Sequence, residues 1–212
     1  MTSWDKYSTG ADRWTEEAYA DAASYLAARA ALVVSLGPRL EPGDVVLDLA
    51  CGDGGLGDFL RGQRYRGVDA SPEMVAAARR RGRDVIEADL NDYEPAAPVQ
   101  ATTIFRAIYY ARDRRAFLGR VAGYTEKKLV FDLNPRQYRL EDVEADLRAA
   151  GFDRLDVQPF FVPQTRAPAA PVARLLRALE RSGPAARLVL RARFTYMCSA
   201  SRSAGASRTS RS

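Results

Sequence analysis

Val45-Val46-Leu47-Asp48-Leu49-Ala50-Cys51-Gly52-Asp53-Gly54-Gly55-Leu56-Gly57 is the stretch that decides the fold. A short apolar run passes into a glycine-rich turn and then into helix-forming residues. That is the pattern of a buried strand feeding a tight turn and a helix. Glycine adopts left-handed backbone freely and lets the main chain approach a ligand closely. The N–H groups that open the following helix are free to bind one.

Outward from this stretch the same alternation repeats. Apolar runs at 65–70, 85–90, 102–108 and 128–133 read as further strands, and 56–61, 72–81, 114–121 and 140–150 as helices. Regular alternation of strand and helix predicts βαβ units and a mainly parallel α/β sheet. Residues 155–162 add a sixth strand, and 187–198, where apolar residues recur with period two, a seventh. Upstream, a helix is expected over 14–36, with Tyr19, Ala22, Ala23, Leu26, Ala30 and Val33 on one face and Gly37-Pro38 at its end.

The glycine spacing Gly52-x-Gly54-x-x-Gly57 satisfies the dinucleotide fingerprint, so by itself it does not separate NAD from S-adenosylmethionine (AdoMet). Three acids separate them. Asp48 lies inside the first strand, where a pyrophosphate would be repelled but the ammonium and sulfonium of AdoMet are favoured. Asp69 ends the second strand, in Gly67-Val68-Asp69-Ala70-Ser71-Pro72, placed to accept both ribose hydroxyls. Asp89 ends the third, in Glu87-Ala88-Asp89-Leu90, within reach of an adenine amino group. Open α/β sheets bind ligands at the carboxyl ends of their strands, where all three acids fall.

These segments resemble the first three motifs of class I AdoMet-dependent methyltransferases of the small-molecule type. The likeness continues through Ile108-Tyr109-Tyr110-Ala111-Arg112-Asp113 and Leu129-Val130-Phe131-Asp132-Leu133-Asn134-Pro135. It implies a doubly wound, Rossmann-like, seven-stranded mixed sheet in the order 3-2-1-4-5-7-6, with the last strand antiparallel. It implies AdoMet as cofactor, with Asp69 at the ribose, Asp89 and Leu90 at the adenine, and the Gly52 turn at the methionine part. The candidate cofactor-binding residues are Asp48, Ala50, Gly52, Gly54, Asp69, Ala70, Asp89 and Leu90. Two departures stand out: Tyr109 and Tyr110 occupy the place of a common histidine pair, and Gly123-Tyr124-Thr125-Glu126-Lys127 replaces a Pro-Gly-Gly turn.

The chain has no histidine, so mechanisms that need an imidazole are excluded. Tyr109 and Tyr110 are the candidate catalytic residues, expected to orient a small-molecule acceptor for in-line displacement. A tyrosine of ordinary pKa, near 10, is a poor base. The two cysteines lack metal-ligand spacing, and no metal is expected. Tyr124-x-x-x-Lys128 matches the dehydrogenase Tyr/Lys pair but leads into a strand, and an NAD(P)-dependent oxidoreductase is the alternative enzyme class.

Residues 164–212 hold ten Arg and one acid within a chain of net charge +5. Single-strand binding interleaves basic residues with exposed aromatics, and these arginines are not so arranged, so no nucleic acid is expected. A non-catalytic AdoMet- or nucleic-acid-binding protein is the third class, and weak membrane-surface contact a further expectation for this basic part. One domain is expected over 1–198, with a helical cap over 1–44, a lid-like insertion over 164–186 and a disordered tail over 199–212. Within the lid, a helix opening at Pro171 would dock Val172, Leu175, Leu176 and Leu179 on the protein and roof the site, favouring an aromatic or lipid-like acceptor. Trp4, Tyr7 and Trp14 would wall the same pocket. The start lacks the pattern of a secretory signal, and a cytoplasmic location is expected.

Overall fold

A computed structural model of the chain describes Thr15 and residues 19–160, 169–180 and 195–203. Each apolar run that it describes becomes a strand of one sheet. The strands are β1 (Val45–Leu49), β2 (Arg64–Asp69), β3 (Val85–Glu87), β4 (Val99–Ile104), β5 (Thr125–Leu133), β6 (Arg154–Phe160) and β7 (Thr195–Ser201). Their order is β3-β2-β1-β4-β5-β7-β6. The first five pair in parallel, and β7 runs antiparallel to both β5 and β6. The helices are α1 (Ala22–Ser35), α2 (Pro72–Arg80), α3 (Arg114–Tyr124), α4 (Leu140–Ala149) and α5 (Ala170–Glu180).

The alternation of side chains along the central strands divides the core in two. Leu47, Leu49, Leu129, Phe131 and Leu133 face Phe117, Leu118 and Val121 of α3 and Val143 and Leu147 of α4. Val46, Ala101, Val130 and Met197 face Tyr25, Leu26, Ala30 and Val33 of α1. A sheet buried on both sides needs apolar residues at successive positions, which is why these strands read as unbroken apolar runs. Side-chain caps start the helices. Asp21 accepts the Ser24 N–H at 3.0 Å, Ser71 the Met74 N–H at 3.3 Å ahead of Pro72, and Asp113 the Ala116 N–H at 3.0 Å.

Several boundaries differ from the sequence expectation. The Asp21 cap starts α1 at Ala22, leaving Tyr19 outside it. The expected helix over 56–61 is a 3-10 turn, Gly55–Asp58, entered through left-handed Gly54 (φ 71°). Three glycines within six residues leave an α-helix little support there. The fourth strand stops at Ile104, and Ile108–Tyr110 forms a second 3-10 turn. The seventh strand runs to Ser201, so the expected tail is ordered at least through its first residues, with Ser199 and Ser201 fully buried. Small hydroxyl side chains fit between β5 and β6, and sequence polarity concealed that burial. The parts of the expected strand at 187–194 and of the tail at 204–212 lie outside the described residues.

Helix α5 forms where the lid helix was expected, yet its Val172 and Leu175 stand 47% and 61% exposed. Leu176 and Leu179, on the same face, are half-buried, and the helix packs against β6. The rest of the 164–186 insertion beyond 169–180 lies outside them, as do Trp4, Tyr7 and Trp14. Among the described residues no helix is long and apolar enough to cross a membrane.

Lys128, in the middle of β5, is fully buried. Its Nζ donates to the carbonyls of Val34 at 3.2 Å and Leu36 at 2.8 Å, satisfying the C-terminal end of α1. Burial pushes its pKa down from 10.5 to about 8. Above that value the folded chain releases a proton that the unfolded chain holds until its ordinary pKa, so folding stability gains as pH rises across this window. Urea denaturation of wild type and Lys128→Met at pH 7.5 and 9.5 should show wild type gaining relative to the variant at the higher pH. An unchanged difference would remove Lys128 from the pH dependence.

Candidate active site

The carboxyl ends of β1, β2 and β3 bring the predicted acids to one crevice. Asp48 is buried in β1, its Oδ1 accepting from Thr103 Oγ1 at 2.7 Å and its Oδ2 from Tyr65 Oη at 3.0 Å. Burial pushes its carboxyl up to about 6, although both hydrogen bonds favour the charged form. Asp69 closes β2. Its Oδ2 accepts the Gly52 N–H at 2.7 Å and its Oδ1 the Ser71 N–H at 2.9 Å, while burial raises its pKa. Asp89 falls two residues beyond the end of β3. Its Oδ1 accepts from the backbone and side-chain nitrogens of Asn91, and its Oδ2 from Arg112 Nη2 at 2.7 Å.

The turn after β1 is left-handed at Ala50 (φ 56°) and again at Gly52 (φ 58°). A Cβ on Gly67 would meet Cys51 Sγ at 2.6 Å, so β2 backs the turn at a distance only glycine permits. After β4 the chain is again left-handed at Arg106 (φ 54°), whose N–H donates to Asp132 Oδ1 at 2.6 Å. Ala50 and Arg106 are the two non-glycine residues with positive φ among those described. Such conformations persist where surrounding structure holds them, and they cluster at ligand sites. Here they flank the point where β1 and β4 diverge, the switch point at which doubly wound sheets bind ligands.

A cavity of about 330 Å³ occupies this point. Asp48, Ala50, Gly52, Asp69, Ala70, Asp89 and Leu90 all line it, as do Tyr109 and Tyr110. Gly54 is not in the lining; its Cα faces Arg83 and Ala78, and its part is to turn the chain. The Tyr109 and Tyr110 rings lie against each other, centroids 4.4 Å apart, and both are more than 40% exposed. They sit at the rim rather than beneath α3. Asn91 donates to the Tyr110 carbonyl at 3.1 Å, so the tyrosine pair bridges the two sides of the cavity.

Residues 46–128 match the family described as "Methyltransferase domain". The match takes in 83 of the chain's 212 residues, from β1 into β5. Over 85 residues it is 35% identical to trans-aconitate 2-methyltransferase of Mycobacterium tuberculosis, a match covering 38% of this chain and 33% of that protein. The chain thus matches about a third of the length of its curated relatives. Among solved structures, a complex between the Haloferax volcanii Trm112 methyltransferase activator and a methyltransferase superposes with a TM-score of 0.64, at 21% identity, over 94% of this chain and 97% of that one. The magnesium protoporphyrin IX methyltransferase of Synechocystis with bound AdoMet gives 0.55 at 17% identity, over 96% and 85%. These likenesses establish the fold.

The cavity also holds residues that the sequence reading missed. Thr15 reaches over the glycine turn, its Oγ1 donating to Asp53 Oδ1 at 2.5 Å and its N–H to Oδ2 at 3.3 Å. Tyr19, Phe105 and Arg112 join the lining. The most buried is Arg29 of α1, 2% exposed, whose Nη2 donates to Asp132 Oδ2 and to Tyr25 Oη, both at 2.8 Å. Its guanidinium stacks over Phe105 at 4.3 Å and Tyr25 at 4.8 Å. A usable signal did exist. Asp132 is an acid within a buried apolar strand and so requires a partner.

Breaking a buried pair strands the remaining charge, at a cost of about 3–5 kcal/mol. Arg29→Met should lose stability on that scale in urea denaturation, and Arg29→Met with Asp132→Leu should recover much of it. A double variant no better than the single would show that the pair is not the source of the loss.

Proposed function

We propose that this chain is an AdoMet-dependent methyltransferase acting on a small-molecule acceptor. The observation that carries the reading is the convergence of Asp48, Asp69 and Asp89 with a left-handed glycine turn on one cavity at the sheet's switch point. The donor set fits AdoMet: a buried carboxylate at Asp48, with those of Asp69 and Asp89 beside it, favours a cationic ligand and repels a pyrophosphate. Asp69 would hold the ribose hydroxyls through lone pairs left by Gly52 and Ser71, Asp89 and Leu90 the adenine, and the Ala50–Gly52 turn with Asp48 the methionine part. Bound AdoMet supplies a methyl group already activated on a positively charged sulfur.

What remains for the chain's own residues is placement and exclusion of water. The cofactor takes the β1–β2–β3 side, which leaves the β4 side, with Phe105, Arg106 and the tyrosine pair, to the acceptor. Tyr109 and Tyr110 orient it. The curated relative named for trans-aconitate makes that acid a first acceptor to assay. The Trm112 complex makes a protein partner a second possibility for assay by co-purification.

Calorimetry should show AdoMet binding and no NADH binding. Asp69→Ala should lose AdoMet affinity by more than tenfold, each charge-assisted hydrogen bond contributing about 1.5–3 kcal/mol. Unchanged affinity sinks the assignment of Asp69. Tyr109→Phe with Tyr110→Phe should lower turnover, read as S-adenosylhomocysteine formed, more than it lowers AdoMet affinity. Full turnover in that double variant would leave both hydroxyls without a part in the reaction.

A further inference from the structure

β3 and β4 are not neighbours, since β2 and β1 lie between them in the sheet. The loops that leave their carboxyl ends nevertheless meet at the cavity, and the side chain of Asn91 joins them. Its Nδ2 donates to Asp89 Oδ1 at 2.8 Å and to the Tyr110 carbonyl at 3.1 Å. Its Oδ1 accepts the Arg112 N–H at 2.9 Å. Both amide hydrogens are used, one on each loop. Two oxygens face Nδ2 and an N–H faces Oδ1, so one orientation of the amide makes all three bonds and the flipped one makes none. Asn91 is buried, which strengthens these bonds and keeps water from replacing them.

A second link lies outside the first. Arg112 Nη2 reaches Asp89 Oδ2 at 2.7 Å and Asp92 Oδ2 at 3.4 Å, with the arginine side chain 66% exposed. Ion pairs so open to water hold little. The joint between the loops therefore rests on Asn91. Asp89 Oδ1 takes two hydrogen bonds, both from Asn91, whereas Oδ2 takes one from Arg112 and keeps a lone pair.

Building on the AdoMet reading above, with adenine at Asp89, we infer that Asn91 is a positioning residue that transmits occupancy of the adenine subsite to the tyrosine pair. An adenine amino group donating to Asp89 Oδ2 fixes that carboxylate, and with it the Asn91 amide. The amide in turn fixes the Tyr110 carbonyl and the Arg112 N–H. The 3-10 turn Ile108–Tyr110, which carries both rings, is thus ordered by the cofactor, and the acceptor rim is complete only when the adenine is in place. Such coupling needs no displacement, only the ordering of one loop by another through a contiguous set of bonds.

The test is amide hydrogen exchange, read with and without S-adenosylhomocysteine so that each variant is its own reference. A side chain that only braced the loop would change exchange equally in both states. In wild type the ligand should slow exchange at the Tyr110, Ala111 and Arg112 amides by about tenfold, the scale of one hydrogen bond. In Asn91→Ala, calorimetry should still show S-adenosylhomocysteine bound, while those amides no longer respond to it. Arg112→Gln keeps the backbone N–H and should respond as wild type does. Saturating adenosine, which lacks the methionine part, should slow the same amides in wild type. Slowing that survives in Asn91→Ala, slowing lost in Arg112→Gln, or saturating adenosine that slows nothing overturns the role of Asn91 and leaves the cofactor reading standing. Loss of S-adenosylhomocysteine binding in a folded Asn91→Ala makes Asn91 part of the adenine subsite itself and likewise overturns the relay. Should Asn91→Ala not fold, the adenosine and Arg112→Gln measurements decide. Failure of wild type to bind S-adenosylhomocysteine overturns the cofactor reading and this one with it.

Discussion

Everything at the site depends on the parallel pairing of β1 with β4. Their register ends at Leu49 and Ile104, and beyond it the chain leaves each strand through a left-handed residue. Parallel neighbours have connections that depart from the same edge of the sheet, and where these leave on opposite faces they open a crevice. Ala50 and Arg106 make those departures abrupt. Each bend is held by a hydrogen bond from a neighbouring strand: the Val68 carbonyl accepts the Cys51 N–H, and Asp132 accepts the Arg106 N–H. The cavity thus exists because two bends with unfavourable backbone angles are fixed by the strands on either side.

An aspartate fastens each side of the cavity. Asp69 ties the glycine turn to the end of β2 through Gly52 and Ser71. Asp132 ties α1 to the bend after β4 through Arg29 and Arg106. Each acid is a structural fastener that also sets the local potential. The aromatic wall around Arg29, formed by Tyr25, Phe105 and Phe160, keeps water from the pair and strengthens its field at the cavity.

The sheet was legible in the sequence because strands buried on both faces must be apolar throughout, and helices between them follow from periodicity and caps. The acids at the ends of β1 to β3 were legible for a related reason, since a charge beside a buried strand has few structural uses. Arg29 was not. An arginine on an amphipathic helix ordinarily lies in solvent, and only Asp132, more than a hundred residues away, explains its burial. Lys128, Ser199 and Ser201 were hidden in the same way: polarity in the sequence says what must be satisfied, not where. The glycine turn was read correctly as a turn, but its helix shrank to Gly55–Asp58, so a dipole at a long helix end contributes nothing there.

The position of β7 has a consequence for how the chain is made. It is the last of the seven described strands in sequence, yet it lies inside the sheet, between β5 and β6. Synthesis proceeds from the N-terminus, so β1 to β5 can assemble while β7 is still within the ribosome. Until β7 emerges, β6 has no neighbour to pair with, and β5 presents an open edge with Val130 and Phe131 at its centre. An unpaired apolar edge recruits other strands. The nascent chain therefore passes through a stage with both liabilities exposed, and closing the sheet is a single late insertion that satisfies two strands at once.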